Sequence, residues 1–250
     1  MNEVVGFAGF PADDFTTTTA PFGRASDYFL ERARCLMINP ETHRNIGFED
    51  ENITWNRYIA RHCFAKLVAT YGTIDNLGPF RLFCDDMRPS NMLADPETMR
   101  ITALLDIEFT NAMPAQYAYD LPWWLILGNP AILISEGKQA FLDLFEPRKE
   151  QYIRAMERAE GAFPLPLEEP RLSTRMRDSW DSGRFWFNLA ARSSFDVDEI
   201  YWNFLHQDGR GVAMLDNAIL ASKEEFLKRK KDQFDAYWRE RQNDRRFSSS

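Results

Sequence analysis

Apolar residues recur at three- and four-residue intervals along most of this chain, the spacing of helices that bury one face. Phe29, Leu30, Ala33, Leu36 and Met37 form such a face, on a helix that Ser26 can cap and that ends near Asn39. Tyr58, Ile59, Phe64, Leu67 and Val68 form another, from a Thr54 cap to Tyr71. Beyond residue 120 the pattern predicts helices over 122–127, 138–145, 148–161, 171–192, 196–206 and 219–243. Pro164, Pro166 and Pro170 force a linker between the third and fourth of these. The helical spacing gives way to two short apolar runs, Asn91–Asp95 and Arg100–Leu105, which read as a hairpin closed by Asp95-Pro96-Glu97-Thr98. Pro in the second position of that tetrapeptide favours a type I turn. The expected fold class is mainly α (α+β), without internal repeats.

The hairpin matters because of what flanks it. Asp86 and Asn91 stand five apart in the loop before it, Leu82-Phe-Cys-Asp-Asp-Met-Arg-Pro-Ser-Asn91, and Asp106 follows it. The hairpin returns Asp106 towards that loop, so a carboxylate, an amide oxygen and a second carboxylate converge. Phosphoryl transfer needs little more than this from a protein. One carboxylate accepts or orients the hydroxyl proton, and oxygen ligands hold the Mg²⁺ that bridges the phosphates.

These segments resemble the catalytic and metal loops of aminoglycoside phosphotransferase-like kinases, His-Gly-Asp-x-x-x-x-Asn followed by Ile-Asp-Trp-Glu, and look most like a fungal branch of that family. The resemblance implies Asp86 as catalytic base and Asn91 and Asp106 as ligands of Mg²⁺ and its bound ATP. Leu105-Asp106-Ile107-Glu108 stands as the second motif. It also implies that Asp120, in Tyr119-Asp120-Leu121-Pro122-Trp123-Trp124, opens the next helix and braces the catalytic loop. Asp120 near an N-cap and Pro122 early in the helix agree with helix-start chemistry. Two positions depart from the family: Cys84 replaces its His and Asp85 its Gly. The extra carboxylate beside Asp86 calls for a compensating cation, and Arg88 is near enough in sequence to be it.

The implied fold is a protein kinase-like C-terminal lobe over 24–246, with 1–23 as an N-terminal extension. Residues 82–108 would carry the catalytic and metal loops and 122–246 a helical subdomain. The N-terminal lobe is expected to be absent, as in a truncated kinase. Gly6-Phe-Ala-Gly9 lacks the spacing of a phosphate cradle, and Lys66 lies in a helical pattern and not on a strand. Loss of both loop and lysine would cost roughly 10⁴-fold or more in rate. The chain is thus expected to be a weak or inactive phosphotransferase by itself, towards a small-molecule hydroxyl substrate, unless another chain supplies the N-lobe in trans. ATP and Mg²⁺ are the implied cofactors.

Composition narrows the remaining classes. The 250 residues are 44% hydrophobic and 14% aromatic, enough to bury a large core, with fraying expected only in the first dozen residues and in Phe247–Ser250. A net charge of −8 argues against nucleic acid as a partner. Cys35, Cys63 and Cys84 show neither pairing nor zinc spacing, which suits a reducing, cytoplasmic setting. No leader or membrane span is visible. The stretch from Lys223 to Arg246 carries a basic excess and places Phe226, Leu227, Phe234, Tyr237 and Trp238 at helical intervals, as a helix with one face on the body. Trp123, Trp124, Trp180, Trp186 and Trp202 are expected in packing. His43, His62 and His206 are scattered. Glu136, Glu157, Glu160, Asp178 and Asp181 fall where related enzymes bind cationic substrates, and solvation explains them equally well.

Two other readings follow from the same residues. Asp86 and Asn91 can serve merely as turn formers, in a non-catalytic, pseudokinase-like binding or regulatory module. Asp85, Asp86, Asp106 and Glu108 can instead be read as the carboxylate cluster of a metal-dependent hydrolase.

Overall fold

A computed structural model describes residues 21–44, 50–162, 170–206, 211–244 and 246. The expected frayed residues 1–12 and 247–250, and Pro164 and Pro166 of the linker, lie outside the described residues. The protein is mainly helical, with two small antiparallel ladders, and divides into two compact units. One joins Ser26–Gly72 to the described part of Ala190–Ser250, and the other joins Gly23–Ala25 to Thr73–Leu189.

The first unit is built on α1 (Ala25–Thr42) and α2 (Glu51–Tyr71). Both helices start earlier than their expected caps. The first amide of α1 is already satisfied, since Ala25 N–H donates to Asn76 O at 2.8 Å, so Ser26 sits inside the first turn. Asp50 caps α2, its Oδ1 accepting from Asn52 N at 2.6 Å and Ile53 N at 3.1 Å, while Thr54 Oγ1 donates to Asp50 O. The buried face of α1 is also rotated from the expected one. Leu30 is exposed, and Arg32, Cys35, Ile38 and Asn39 join Phe29, Ala33 and Leu36 inside.

Helix α1 continues past Asn39 through Pro40, and a side chain from α2 explains how. Proline cannot donate to the carbonyl four residues back, which leaves Leu36 O without its helical partner. Arg61, buried at the centre of α2, donates its Nε to that oxygen at 3.1 Å. The same guanidinium reaches Arg57 O, Ser194 O and Asp198 Oδ1. Burial pulls Arg61 below the usual guanidinium range, against the opposing pull of Asp198.

Later elements of this unit are α6 (Arg184–Arg192, from Ala190 on), α7 (Val197–Ile200), a π-helical turn at Tyr201–Leu205, α8 (Asn217–Ala221) and α9 (Lys223–Asn243). The helix expected over 219–243 thus starts at Asn217 and breaks at Ser222. Phe226 and Leu227 of α9 are buried, and Phe226 stacks on Tyr58 at 4.0 Å.

In the second unit, α3 (Pro130–Glu136) arises where no helix was expected, capped by Asn129 Oδ1. The helices expected over 138–145 and 148–161 are one, α4 (Lys138–Ala162), which runs through Pro147. Interrupting a helix at proline saves about 3 kcal/mol, but Phe141, Phe145 and Ile153 are fully buried on the same helix and hold both halves in line. The helix expected over 171–192 is instead two, α5 (Leu172–Asp181) and α6. Gly183 stands between them at φ +79°, a backbone that L side chains avoid. Phe145 stacks on Trp180 at 5.1 Å, and Phe185 and Trp186 close the cluster, so these tryptophans pack as expected.

The expected hairpin is present as β2 (Met92–Ala94) and β3 (Ile101–Leu104). Asp95 Oδ1 accepts from Glu97 N and Thr98 N, both at 2.8 Å, which folds the turn. A second ladder was not expected. Strand β1 (Phe80–Cys84) pairs with β4 (Thr110–Pro114), antiparallel, from Phe80↔Pro114 to Cys84↔Thr110.

Candidate active site

The two ladders bring the candidate residues together by connectivity. Chain leaving β1 at Cys84 enters β2 at Met92, and chain leaving β3 at Leu104 enters β4 at Thr110. Cys84 is paired with Thr110, and Met92 with Leu104, so residues 85–91 and 105–109 are pinned side by side at both ends. Leu105 N–H donates to Asn91 O at 2.8 Å, and Asp85 N–H to Phe109 O at 3.5 Å. Asp86 and Asn91 lie in the first segment and Asp106 in the second.

Asn91 ends a single 3₁₀ turn, Pro89–Asn91, and is 5% exposed. Its Nδ2 donates to Asp86 O at 2.9 Å and to Asp86 Oδ2 at 3.2 Å. The amide nitrogen is thereby committed to Asp86, which turns the Oδ1 end the other way, with only a long 3.5 Å contact from Ser90 Oγ. Arg88 Nε lies 3.2 Å from Asp86 Oδ1, so it meets the proposed base as expected from the adjacent Asp85. Both oxygens of Asp86 are therefore engaged.

Asp106 is exposed and adopts φ 52°, ψ 51°, the left-handed region. Asp and Asn are the non-glycine residues that tolerate this backbone best, and such residues gather at functional sites. The conformation turns the chain from β3 into the 3₁₀ turn Ile107–Phe109, which carries Glu108.

Asp120 differs from its expected place. It follows the 3₁₀ helix Ala115–Tyr119 and is not the cap of the next turn, Trp123–Ile126, whose N-cap is Pro122. A turn so short, opening on proline, has little use for a side-chain cap. The buried Asp120 Oδ1 accepts from Ser179 Oγ at 2.5 Å and Asn188 Nδ2 at 3.1 Å, and Asn188 Oδ1 accepts from Gln116 Nε2 at 2.6 Å. These bonds tie the segment after β4 to α5 and α6. Ser179, Asn188 and Gln116 were missed in sequence, although Asn188 stands out as the one polar residue in the run Phe185–Ala191.

The acidic groups that fall where related enzymes bind cations are largely engaged within the helices. Glu160 accepts from Ser173 N and Oγ at 2.9 and 2.5 Å, capping the start of α5. Burial pushes its carboxyl up, but these hydrogen bonds outweigh it and hold the group below its usual value. Glu157 pairs with Arg177, and Asp178 with Arg184. Among the described residues no three His, Cys, Asp or Glu side chains are grouped to hold a metal ion. A cation at this site would thus draw on the amide oxygen of Asn91 together with Asp106, a donor set that suits Mg²⁺, which keeps most of its shell as water or phosphate oxygen.

No helix among the described residues is long and apolar enough to cross a membrane. No protein-family model matches the chain, nor does any curated protein or solved structure.

Proposed function

We propose that this chain carries the catalytic and metal-binding half of a phosphotransferase of the aminoglycoside-kinase type, a kinase-like C-lobe that acts on a small-molecule hydroxyl. The observation that supports it most is the pinning of 85–91 against 105–109 by two ladders, which gathers Asp86, Asn91 and Asp106 from separate segments. In this reading Asp86 accepts the hydroxyl proton, and Arg88 and the Asn91 amide fix the orientation of its carboxylate. Asn91 Oδ1 and Asp106 would hold Mg²⁺, which supplies charge neutralisation between donor phosphates. Asp120, Gln116 and Asn188 hold the segment behind β4 in place. Neither 85–91 nor 105–109 offers a lysine to the donor phosphates. Turnover is therefore expected to need a covering lobe, in the same polypeptide or in trans.

The reading is tested by calorimetric titration with ATP and Mg²⁺, using Asp106→Asn as the comparison. Asparagine tolerates the left-handed backbone that alanine does not, so this variant removes charge without disturbing the turn. Micromolar binding that weakens at least about tenfold in the variant supports the reading. Absence of heat at millimolar nucleotide overturns it for this chain and favours the non-catalytic module. The engagement of both Asp86 oxygens, by Arg88 and Asn91, already suits such a module.

A further inference from the structure

Helix α9 is fastened in two different ways along its length. Apolar packing holds its first turns: Phe226 stacks on Tyr58 at 4.0 Å and leans on Trp55 at 6.1 Å, and Leu227 is buried too. Beyond Lys230 no residue of α9 is buried, and polar contacts with the end of α1 take over. The last carbonyls of a helix lack partners within it, and basic side chains can supply them. Lys230 Nζ donates to His43 O at 2.5 Å and to Gln233 Oε1 at 2.9 Å, and Gln233 Nε2 donates to Glu41 O at 3.1 Å. An exposed ion pair, Arg44 with Glu240 at 2.7 Å, lies further along α9.

We infer that α9 from Lys230 onward is a pH-governed arm, docked on the end of α1 in neutral and alkaline solution and released from it in mild acid, while its first turns stay anchored. The docked junction crowds cationic groups on neutral partners. Lys230 is 2% exposed, and its two acceptors carry no charge. The titratable and charged groups around it are Glu41, His43 and Arg44 at the end of α1, Arg229 and Glu240 on α9, and Tyr58 on α2, whose hydroxyl feels both Glu41 and Arg229. Phe195 brings only a neutral ring to His43, at 6.5 Å. Asn39 Nδ2 lies 3.5 Å from His43 Nδ1, a bond that a protonated ring cannot accept. Burial, then the Lys230 ammonium, holds His43 below its usual value of 6.5, and burial, then Arg229, lowers Lys230 from 10.5 to about 8. Parting the two helices exposes both groups to water and returns them towards their ordinary values, so release takes up protons. For Lys230 that uptake sets in between pH 10.5 and about 8, and for His43 it follows as pH falls below 6.5. Both groups therefore weaken docking in the same direction, towards acid. This inference is independent of the phosphotransferase reading.

Amide hydrogen exchange of the full chain tests it, read as protection over residues 231–243 at about pH 8.5, 7 and 5.5 after correction for the intrinsic rate, with α2 as internal reference. Protection of 231–243 is expected to fall at least about tenfold across this range while α2 holds, about fourfold of it from Lys230 by pH 7 and the remainder from His43. Lys230→Met is expected to keep only the imidazole step. His43→Gln, which leaves the backbone carbonyl that Lys230 uses, is expected to keep only the ammonium step, and the double variant neither. Level protection in the wild type overturns the inference. So does a fall that α2 shares, which is unfolding of the whole unit, or a fall that persists in the double variant.

Discussion

Asp106 and Lys230 show how one residue can hold both a structural and a chemical demand. At Asp106 the left-handed backbone and the carboxylate coincide, so Asp106→Ala is expected to lose about 1 kcal/mol of stability that Asp106→Asn keeps. Comparing the two by urea denaturation separates fold from charge. Lys230 is buried on α9, with Nζ donating to His43 O at 2.5 Å and Gln233 Oε1 at 2.9 Å. Burial, with Arg229 adding to it, lowers its pKa to about 8. Between that value and the ordinary lysine value the unfolded chain binds more protons than the native one, so stability rises with pH over this window. Lys230→Met is expected to remove that rise, worth up to roughly 3 kcal/mol, as read from denaturation midpoints between pH 7 and 10. Glu160 acts in the opposite direction. Its lowered pKa contributes stability above the unfolded carboxyl pKa that is lost as pH falls through the folded value, and Glu160→Gln should blunt that acid limb.

Elements end or continue here according to what a distant side chain supplies. Pro40 does not stop α1 because Arg61 takes the carbonyl it leaves unbonded, and Pro147 does not stop α4 because Phe141 and Phe145 before it and Ile153 after it are buried on the same helix. Arg61→Met therefore removes more than an ion pair. It leaves Leu36 O, Ser194 O and Asp198 without their shared donor, and is expected to cost about 3–5 kcal/mol in thermal or chemical unfolding. The reverse case is Gly183, where φ +79° divides α5 from α6, and Gly183→Ala is expected to destabilise by about 1 kcal/mol. The two helices expected before the loop were placed well in their interiors and poorly at their starts. Ser26 and Thr54 carry plausible capping chemistry, yet Asn76 O and Asp50 fill those roles. Interiors follow apolar spacing, which is local, whereas ends depend on which terminal N–H groups find partners, and those can come from anywhere.

At the scale of the whole molecule, the division into two units explains what the linear pattern hid. The first unit gathers chain from both ends of the described residues, while the candidate site lies wholly in the second. Within that second unit the hairpin β2–β3 was legible from its turn, Asp95-Pro96-Glu97-Thr98, and it duly carries Asp106 back beside Asn91. The β1–β4 ladder was not legible. Phe80–Cys84 and Thr110–Pro114 are separated by the entire hairpin, and neither alternates clearly, so their pairing depends on long-range closure that no local window displays. The sequence by itself determined the helical character of the chain, the β2–β3 hairpin, and the candidate trio Asp86, Asn91 and Asp106, because apolar periodicity, turn chemistry and motif spacing are properties of neighbouring residues. Only the tertiary structure decided that a second ladder pins those loops together, that Asp120 bonds Ser179 and Asn188, and that Arg61 sustains a helix through proline. The last two rest on a buried polar group meeting a partner far along the chain, and the first on strands joined across the whole hairpin, so all three are properties of the packed whole.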